Sequence, residues 1–366
     1  MTDSNLNSKA QAPRRAALLL LLAALAAPAA GCIFSAKRTV SVAPVLTPLA
    51  RAEMAQLFSE INRAATPRSV RGKIDVQFLD TSFAECGVVD KYRTAEGDVI
   101  IQRPGQVYLS IKAPFGVKIA EMTSDGSKFW VAVYQGEERY RRFVYGTNAA
   151  RYGRISDDGN GAGAATTAAG GKPDCGGGGG KSDEKSMRRA VSSLSSLRPQ
   201  HLTDALMVPP VAAAGSNLIY AQSESFEEEP DTRPGAKKDV RVVRGYYVLV
   251  ELEPAGEGRA RVTRRFWFDR VGSGVRLARV QNYDGDGQLM TDVVYRDPRP
   301  FGAGGQQRLP ATVEITRPQD RYSIRISFQT PEEAVIDKQF DPDIFVLQNT
   351  SDLKEVDLDK QGNNRQ

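Results

Sequence analysis

Apolar and polar residues alternate with a period of two over much of this chain, in short runs fenced by turn residues. Between 98 and 134, Val107, Leu109 and Ile111 alternate with Tyr108, Ser110 and Lys112, and turns are marked by Arg103-Pro104-Gly105, Pro114-Phe115-Gly116 and Asp125-Gly126. That pattern predicts consecutive antiparallel hairpins. The next run differs: Phe129, Val131 and Val133 fall on one side and Trp130, Ala132 and Tyr134 on the other, so both of its faces are apolar. A strand of that kind needs cover on both faces, or borders a cavity.

The pattern extends in both directions. Thr47-Pro48 reads as a helix start, followed by Met54, Leu57, Phe58 and Ile61 at helical spacing. Strands are expected at 70–79, with Ile74, Val76 and Phe78 on one face, and at 88–94, 97–102 and 139–145. The segment 153–185 is rich in Gly and Ala and carries five consecutive glycines, a composition that cannot bury enough apolar surface to order itself, so it reads as a disordered insertion. Met187, Val191, Leu194 and Leu197 then predict a helix, and Arg198-Pro199 starts a second one bearing Leu202, Ala205 and Leu206. An acidic stretch at 223–231 reads as a loop. Strands resume at 240–252, 261–268, 275–283, 290–295, 311–317 and 322–328, with a last edge strand at 345–347 and a loose charged tail at 351–366.

The amino terminus carries a more specific signal. Lys9, Arg14 and Arg15 precede an apolar run from Ala16 to Ala27, and the small residues Ala29-Ala30-Gly31 lead to Cys32. This is the layout of a secretory signal peptide over 1–31. Ala29-Ala30-Gly31-Cys32 resembles the bacterial lipobox, which implies cleavage before Cys32 and acylation of that cysteine. Each buried methylene of such an anchor adds about 0.8 kcal/mol to membrane binding. Residues 32–46 then read as a tether, and Ile33, in place of an aspartate, leans toward the periplasmic face of the outer membrane.

Composition narrows the chemistry. The 366 residues carry a formal charge of +5 spread along the chain, without the basic stripe of a nucleic-acid surface. Gly176 to Gly180 followed by Lys181-Ser182 lacks the first glycine and the leading strand of a phosphate loop. Asp284-Gly285-Asp286-Gly287 lacks the closing glutamate of a calcium loop and reads as a hairpin turn. His201 is the only histidine, so no Ser-His-Asp constellation exists beyond that single candidate and no histidine-rich zinc site can form, and it reads as a packing or helix-surface residue. Cys86 and Cys175 remain as a candidate disulfide stapling the insertion to the sheet edge. No enzyme, cofactor or metal is expected.

Several stretches together resemble the LolA/LolB-like lipoprotein-localisation family. They are Leu57 to Gly72 running from helix to strand, Arg103-Pro104-Gly105-Gln106 to Ala113-Pro114-Phe115-Gly116, Ser124-Asp125-Gly126-Ser127-Lys128-Phe129-Trp130, Phe266-Trp267-Phe268-Asp269, and Leu309-Pro310-Ala311. The resemblance implies a mainly β (α+β) fold over 47–350: a curved antiparallel incomplete barrel covered by helices. It also implies an apolar hollow for the acyl chains of a lipid or lipoprotein, with a periplasmic carrier as partner. Candidate lining residues are Val107, Leu109, Ile111, Met122, Trp130, Tyr134 and Trp267, with Leu202 and Leu206 on a covering helix. The competing expectation is an envelope scaffold whose half-barrel is filled by its own helix.

Overall fold

Period-two alternation is realised as sheet along almost the whole chain. The computed structural model describes residues 42–81, 90–91, 94–135, 138, 141–148, 199–211, 216–233, 235–305 and 307–363. The signal peptide, Cys32, Cys86, Cys175, the glycine-rich insertion and the helix expected at 187–197 lie outside the described residues. The chain divides into two units, Met1–Pro44 and Val45–Gln366, and the sheet belongs to the second.

Helix α1 (Met54–Ala64) leads into β1 (Ser69–Asp80), β2 (Asp90–Lys91), β3 (Ala95–Gln102), β4 (Gln106–Lys112), β5 (Lys118–Asp125), β6 (Lys128–Val133) and β7 (Arg142–Thr147). Helix α2 (Pro199–Leu206) precedes β8 (Ile219–Pro230), β9 (Arg241–Pro254), β10 (Ala260–Asp269), β11 (Arg276–Tyr283), β12 (Leu289–Phe301), β13 (Gln307–Arg317) and β14 (Tyr322–Phe328). The short β15 (Val335–Ile336), β16 (Lys354–Asp357) and helix α3 (Leu358–Asn363) complete the order. The strands join in one 16-stranded sheet, ordered β16-β7-β6-β5-β4-β3-β1-β14-β13-β12-β11-β10-β9-β8, with β2 and β15 pairing beside β1. The expected mainly β, open and unclosed sheet is what forms.

The sheet is bent, and one helix shows why it must be. Helix α2 has eight residues, about 12 Å of axis, yet it touches β3, β4, β5 and β13. In the strand order β5 and β13 lie five positions apart, roughly 24 Å on a flat sheet. Only a sheet wrapped around the helix brings both within its reach. Close approach inside the bend is helped by Gly72, where a Cβ would stand 2.9 Å from the Phe328 ring; that ring packs edge-on against Phe301.

Five expectations are corrected. Helix α1 begins at Met54, not at Pro48, and is closed by a capping box between Glu53 and Gln56. The preceding segment is held extended because Leu46 is buried and its N–H donates to the Val243 carbonyl at 2.9 Å, so the end of the 32–46 tether already lies on the sheet. The acidic stretch at 223–231 is not a loop: up to Pro230 it is the edge strand β8, paired with β9 from Ile219 to Pro230. Its polarity reflects its place at an edge, where Glu228 meets Arg241 at 2.6 Å and Glu229 meets Arg244. The segment at 345–347 is not a strand, since Phe345 closes a 3-10 turn over Pro342–Phe345. Finally, the tail is not loose at its start: β16 pairs parallel with β7, and Leu353 and Leu358 are buried.

Those last two segments supply the second cover that the 129–134 run requires. On the outer face, Phe340 and Phe345 pack on Ile100 and Tyr108. Leu353 and Leu347 pack on Trp130, Ala132, Tyr134, Phe143 and Tyr145. Fully burying one such aromatic or aliphatic side chain contributes roughly 1.5–3 kcal/mol, enough to hold a strap of otherwise polar chain in place.

Candidate functional site

The inner face of the sheet is where the apolar side chains converge. Ile74, Val76 and Phe78 of β1 and Val99 and Ile101 of β3 meet Val107, Leu109 and Ile111 of β4 in one buried cluster, which continues through Met122, Val131, Val313 and Ile324. Helix α2 lies on this surface and buries Leu202 and Ala205, with Met207 just beyond it. Helix α1 covers a second inner patch, in which Leu57 and Ile61 meet Tyr247, Leu249, Phe266, Phe268 and Leu277. Tyr295 packs against both patches and donates its hydroxyl to the Ala205 carbonyl at 2.9 Å. Burial, with the negative charge of Asp204 nearby, pushes the Tyr295 phenol far above its ordinary range, so it remains a donor.

Small hollows border this inner surface among the described residues. The first, of about 20 Å³, is lined by Val76, Phe78, Leu109, Ile111, Ala120, Glu121, Met122, Val131 and Ile324. The second, of about 40 Å³, lies at the end of α2 between α1 and β11 to β13, over Leu206, Val208, Leu277 and Tyr295.

Polar groups sit at the border of this surface. Arg103 ties the covers together by donating to the carbonyls of Ala65 and Pro67 after α1 and to that of Val208 after α2, at 2.9–3.1 Å. Burial lowers its pKa, and the nearby Asp204 carboxylate opposes that shift. Burial pushes the Asp204 carboxyl up, and Arg264 and Arg103 pull it back. Glu251 is buried and accepts from Arg264 at 2.8 and 2.5 Å and from Tyr220 at 2.8 Å. Burial raises its pKa, but these donors outweigh the cost and leave it below the ordinary carboxylate range.

The structure divides the predicted lining residues into two sets. Val107, Leu109, Ile111, Met122 and Leu202 are buried on the inner face, and Leu206 packs against them. Trp130, Tyr134 and Trp267 are on the other face. Trp130 lies between Phe129 and Val131 in β6, and strand alternation turns it and Tyr134 to the outer strap. Trp267 lies between Phe266 and Phe268, and its indole N–H donates to Gln281 at 3.0 Å beneath the Arg279 guanidinium. Lining residues not named from the sequence include Val76, Phe78 and Val131, which the same alternation marks, and also Ala120, Glu121 and Ile324.

Other candidates resolve simply. His201 is buried on α2. Asp284 accepts from the N–H groups of Asp286 and Gln288 at 3.0 and 2.8 Å, as a hairpin turn requires. Among the described residues no cluster of His, Cys, Asp or Glu could hold a metal ion, and no helix is long and apolar enough to cross a membrane.

No protein-family model matches the chain, and no curated protein matches it. Among solved structures it is similar to a LolA superfamily protein from Nitrosomonas europaea, at 11% identity and a TM-score of 0.36, over 81% of this chain and 99% of that one. A DUF1329 family protein from Desulfovibrio piger is similar at 12% identity and a TM-score of 0.36, over 82% and 97%. A domain provisionally described as an outer membrane lipoprotein-sorting protein, from Vibrio parahaemolyticus, is similar at 10% identity and a TM-score of 0.37, over 81% and 97%.

Proposed function

We propose that this chain is a non-enzymatic bacterial envelope protein that holds hydrocarbon chains, of a lipid or of an acylated lipoprotein, on the inner face of its sheet. In this reading Cys32 carries the lipid anchor, the folded part stands at the periplasmic face of the outer membrane, and a periplasmic carrier is the partner that delivers or receives the ligand. The observation that carries the reading is the apolar surface under α2, spanning β1, β3 to β6, β13 and β14, with a helix of eight residues for cover. Ligand pockets of this kind occupy roughly 300–1,000 Å³, so hollows of 20 and 40 Å³ admit no acyl chain, and binding on the surface under α2 requires that helix to lift. The hydrogen bonds from Tyr295 to Ala205 and from Arg103 to Val208 would then break.

A second reading, a scaffold whose half-barrel is filled by its own helices, is favoured by the small volume of the two inner hollows. Two measurements separate the readings. Mass spectrometry of organic extracts from the purified full chain should find phospholipid or acylated peptide near one per chain, and added palmitate should speed amide exchange across 199–206. A chain that yields no lipid and whose α2 exchange ignores palmitate is the scaffold. Independently, Cys32→Ser should move the chain from the membrane fraction to the soluble one; retention in the membrane would remove the anchor from the proposal.

A further inference from the structure

An apolar patch faces outward at the point where the folded part of the chain begins. Phe226 interrupts a run of Ser and Glu on the edge strand β8 and is 51% exposed. It pairs with Gly245 of β9, and a Cβ on that glycine would stand 3.2 Å from the Phe226 ring and 3.0 Å from Leu49, so the two side chains share its surface. Two residues back along β9, Val243 bridges in parallel to Val45, which is 50% exposed. Cross-strand partners, and residues two apart on one strand, project on the same face. Phe226, Val243 and Val45 therefore lie side by side across three extended segments. Val240, in the turn that joins β8 to β9, is a further exposed apolar residue at this end of the strands.

The place of this patch along the chain selects its partner. Thirteen residues, 32–44, lead from Cys32 to Val45, and at full extension they span at most roughly 45 Å. Strand β9, with 14 residues, is itself roughly 45 Å long, so the far ends of the strands stand a further sheet length from an anchor at Cys32. The end that carries Val45 and Phe226 is the one such an anchor keeps nearest the bilayer. Tethering raises the local concentration of that surface at the membrane, so weak apolar contacts suffice to dock it. Charge does not oppose the contact. Glu224 pairs with Arg270 at 2.7 Å, Glu228 with Arg241 at 2.6 Å, Asp231 with Arg233 at 2.7 Å, and Glu229 with Arg244. The other charged residues over 224–244 are Glu227 and Asp239 against Lys237 and Lys238, which balance as well. A surface without net charge is neither drawn to anionic headgroups nor repelled by them, which leaves apolar insertion as the driving term.

We infer that this end of the sheet docks on the lipid bilayer through Phe226 and Val45, an inference that rests on the Cys32 anchor proposed above and adds the surface that the anchored chain lays on the membrane. The test uses the acylated chain, purified from membranes and reconstituted into phosphatidylcholine vesicles with brominated acyl chains. Chains carrying Phe226→Trp or Val45→Trp should each be quenched about twofold more strongly than the unsubstituted chain, whose Trp130 and Trp267 give the background. Molar salt, or phosphatidylglycerol added to the vesicles, should leave that quenching unchanged. Two exposed positions elsewhere serve as controls and should stay at background: Ile344→Trp on the outer strap, and Phe115→Trp in the turn between β4 and β5, at the opposite end of the strands. A chain that floats with the vesicles but shows no added quenching in Phe226→Trp and Val45→Trp overturns the docking surface and leaves the anchor standing. Quenching that needs phosphatidylglycerol and low salt, or that is equal in either control, likewise overturns it. A chain that does not float with the vesicles removes the anchor and the docking surface together.

Discussion

The outer face of this one sheet is built in two opposite ways. Over β3 to β7 it is apolar and sealed: Ile100, Trp130, Ala132 and Phe143 lie beneath Phe340, Phe345, Leu347 and Leu353 of the carboxy-terminal strap. Over β9 to β14 it faces water and is laced with charge, through Arg244 to Asp269, Arg279 to Asp292, and Arg296 and Arg325 to Glu314. Hydroxyl pairs such as Thr312 with Ser327 and Thr316 with Ser323, each at 3.1 Å, fill the rows between. The inner face is apolar under both halves. What differs is the third layer, and the lesson is that outward residues in a bent sheet report what lies over them, not which strand they belong to.

If the strap is what stabilises the first half, the largest effect should come from its anchor. Phe345 is fully buried, and Phe345→Ala should cost about 3–5 kcal/mol, read from the denaturant midpoint. A loss below about 1 kcal/mol would mean that the strap rests on the sheet without holding it.

The same half contains a polar contact that depends on the seal. Glu121 is buried and accepts from Tyr108 at 3.0 Å, Tyr134 at 2.7 Å and Lys118 at 2.7 Å. Burial raises its pKa, but those three donors outweigh it and hold the carboxyl below the ordinary glutamate range. Burial, with the nearby Glu121, pushes the Tyr108 phenol up to about 12, so it stays a donor at neutral pH. Because the folded pKa is depressed, Glu121 contributes stability that is present above the unfolded glutamate pKa and is lost as pH falls through the folded value. Glu121→Gln should lower stability at pH 7 by about 1–3 kcal/mol and flatten the acid limb of a stability-versus-pH curve. An unchanged acid limb would show that the carboxylate is not what titrates there.

Effects on the open half should be smaller. Trp267 lies half-buried among Tyr246, Gln281 and Arg279, so Trp267→Ala should cost roughly 1–2 kcal/mol by thermal unfolding, in proportion to the area it covers. Smallest of all, Arg325→Ala removes one arm of an exposed ion pair and should stay within about 0.5 kcal/mol. If Arg325→Ala matched Phe345→Ala, the contrast between the two halves would collapse.

Much of this was legible in the residues. Alternation in β1, β4 and β6 fixed which side chains share a face, and the turn at 284–287 was readable from its Asp-Gly repeats. The two apolar faces of 129–134 called for cover on both sides or a cavity, and cover on both sides is what forms. Its supplier was not legible, because the strap is built from single large residues, Phe340, Phe345, Leu347 and Leu353, spaced by polar ones, so no period marks it. The edge strand at 219–230 was missed because an edge with one wet face tolerates acidic residues that composition assigns to loops. Trp130, Tyr134 and Trp267 were grouped with the inner lining on aromatic character, although alternation places them opposite.

The sequence by itself determined most of the strands, their turns, the helix that carries Leu202, and the faces on which side chains fall, since those depend on neighbours two to four residues apart. Only the tertiary structure decided which face is concave, what covers the other, and that the patches under α1 and α2 meet at Tyr295. Those outcomes join residues more than 200 positions apart, as where Arg63 donates to the carbonyl of Arg308 at 3.0 Å. Register and curvature across a 16-stranded sheet set such meetings, and no local pattern encodes them.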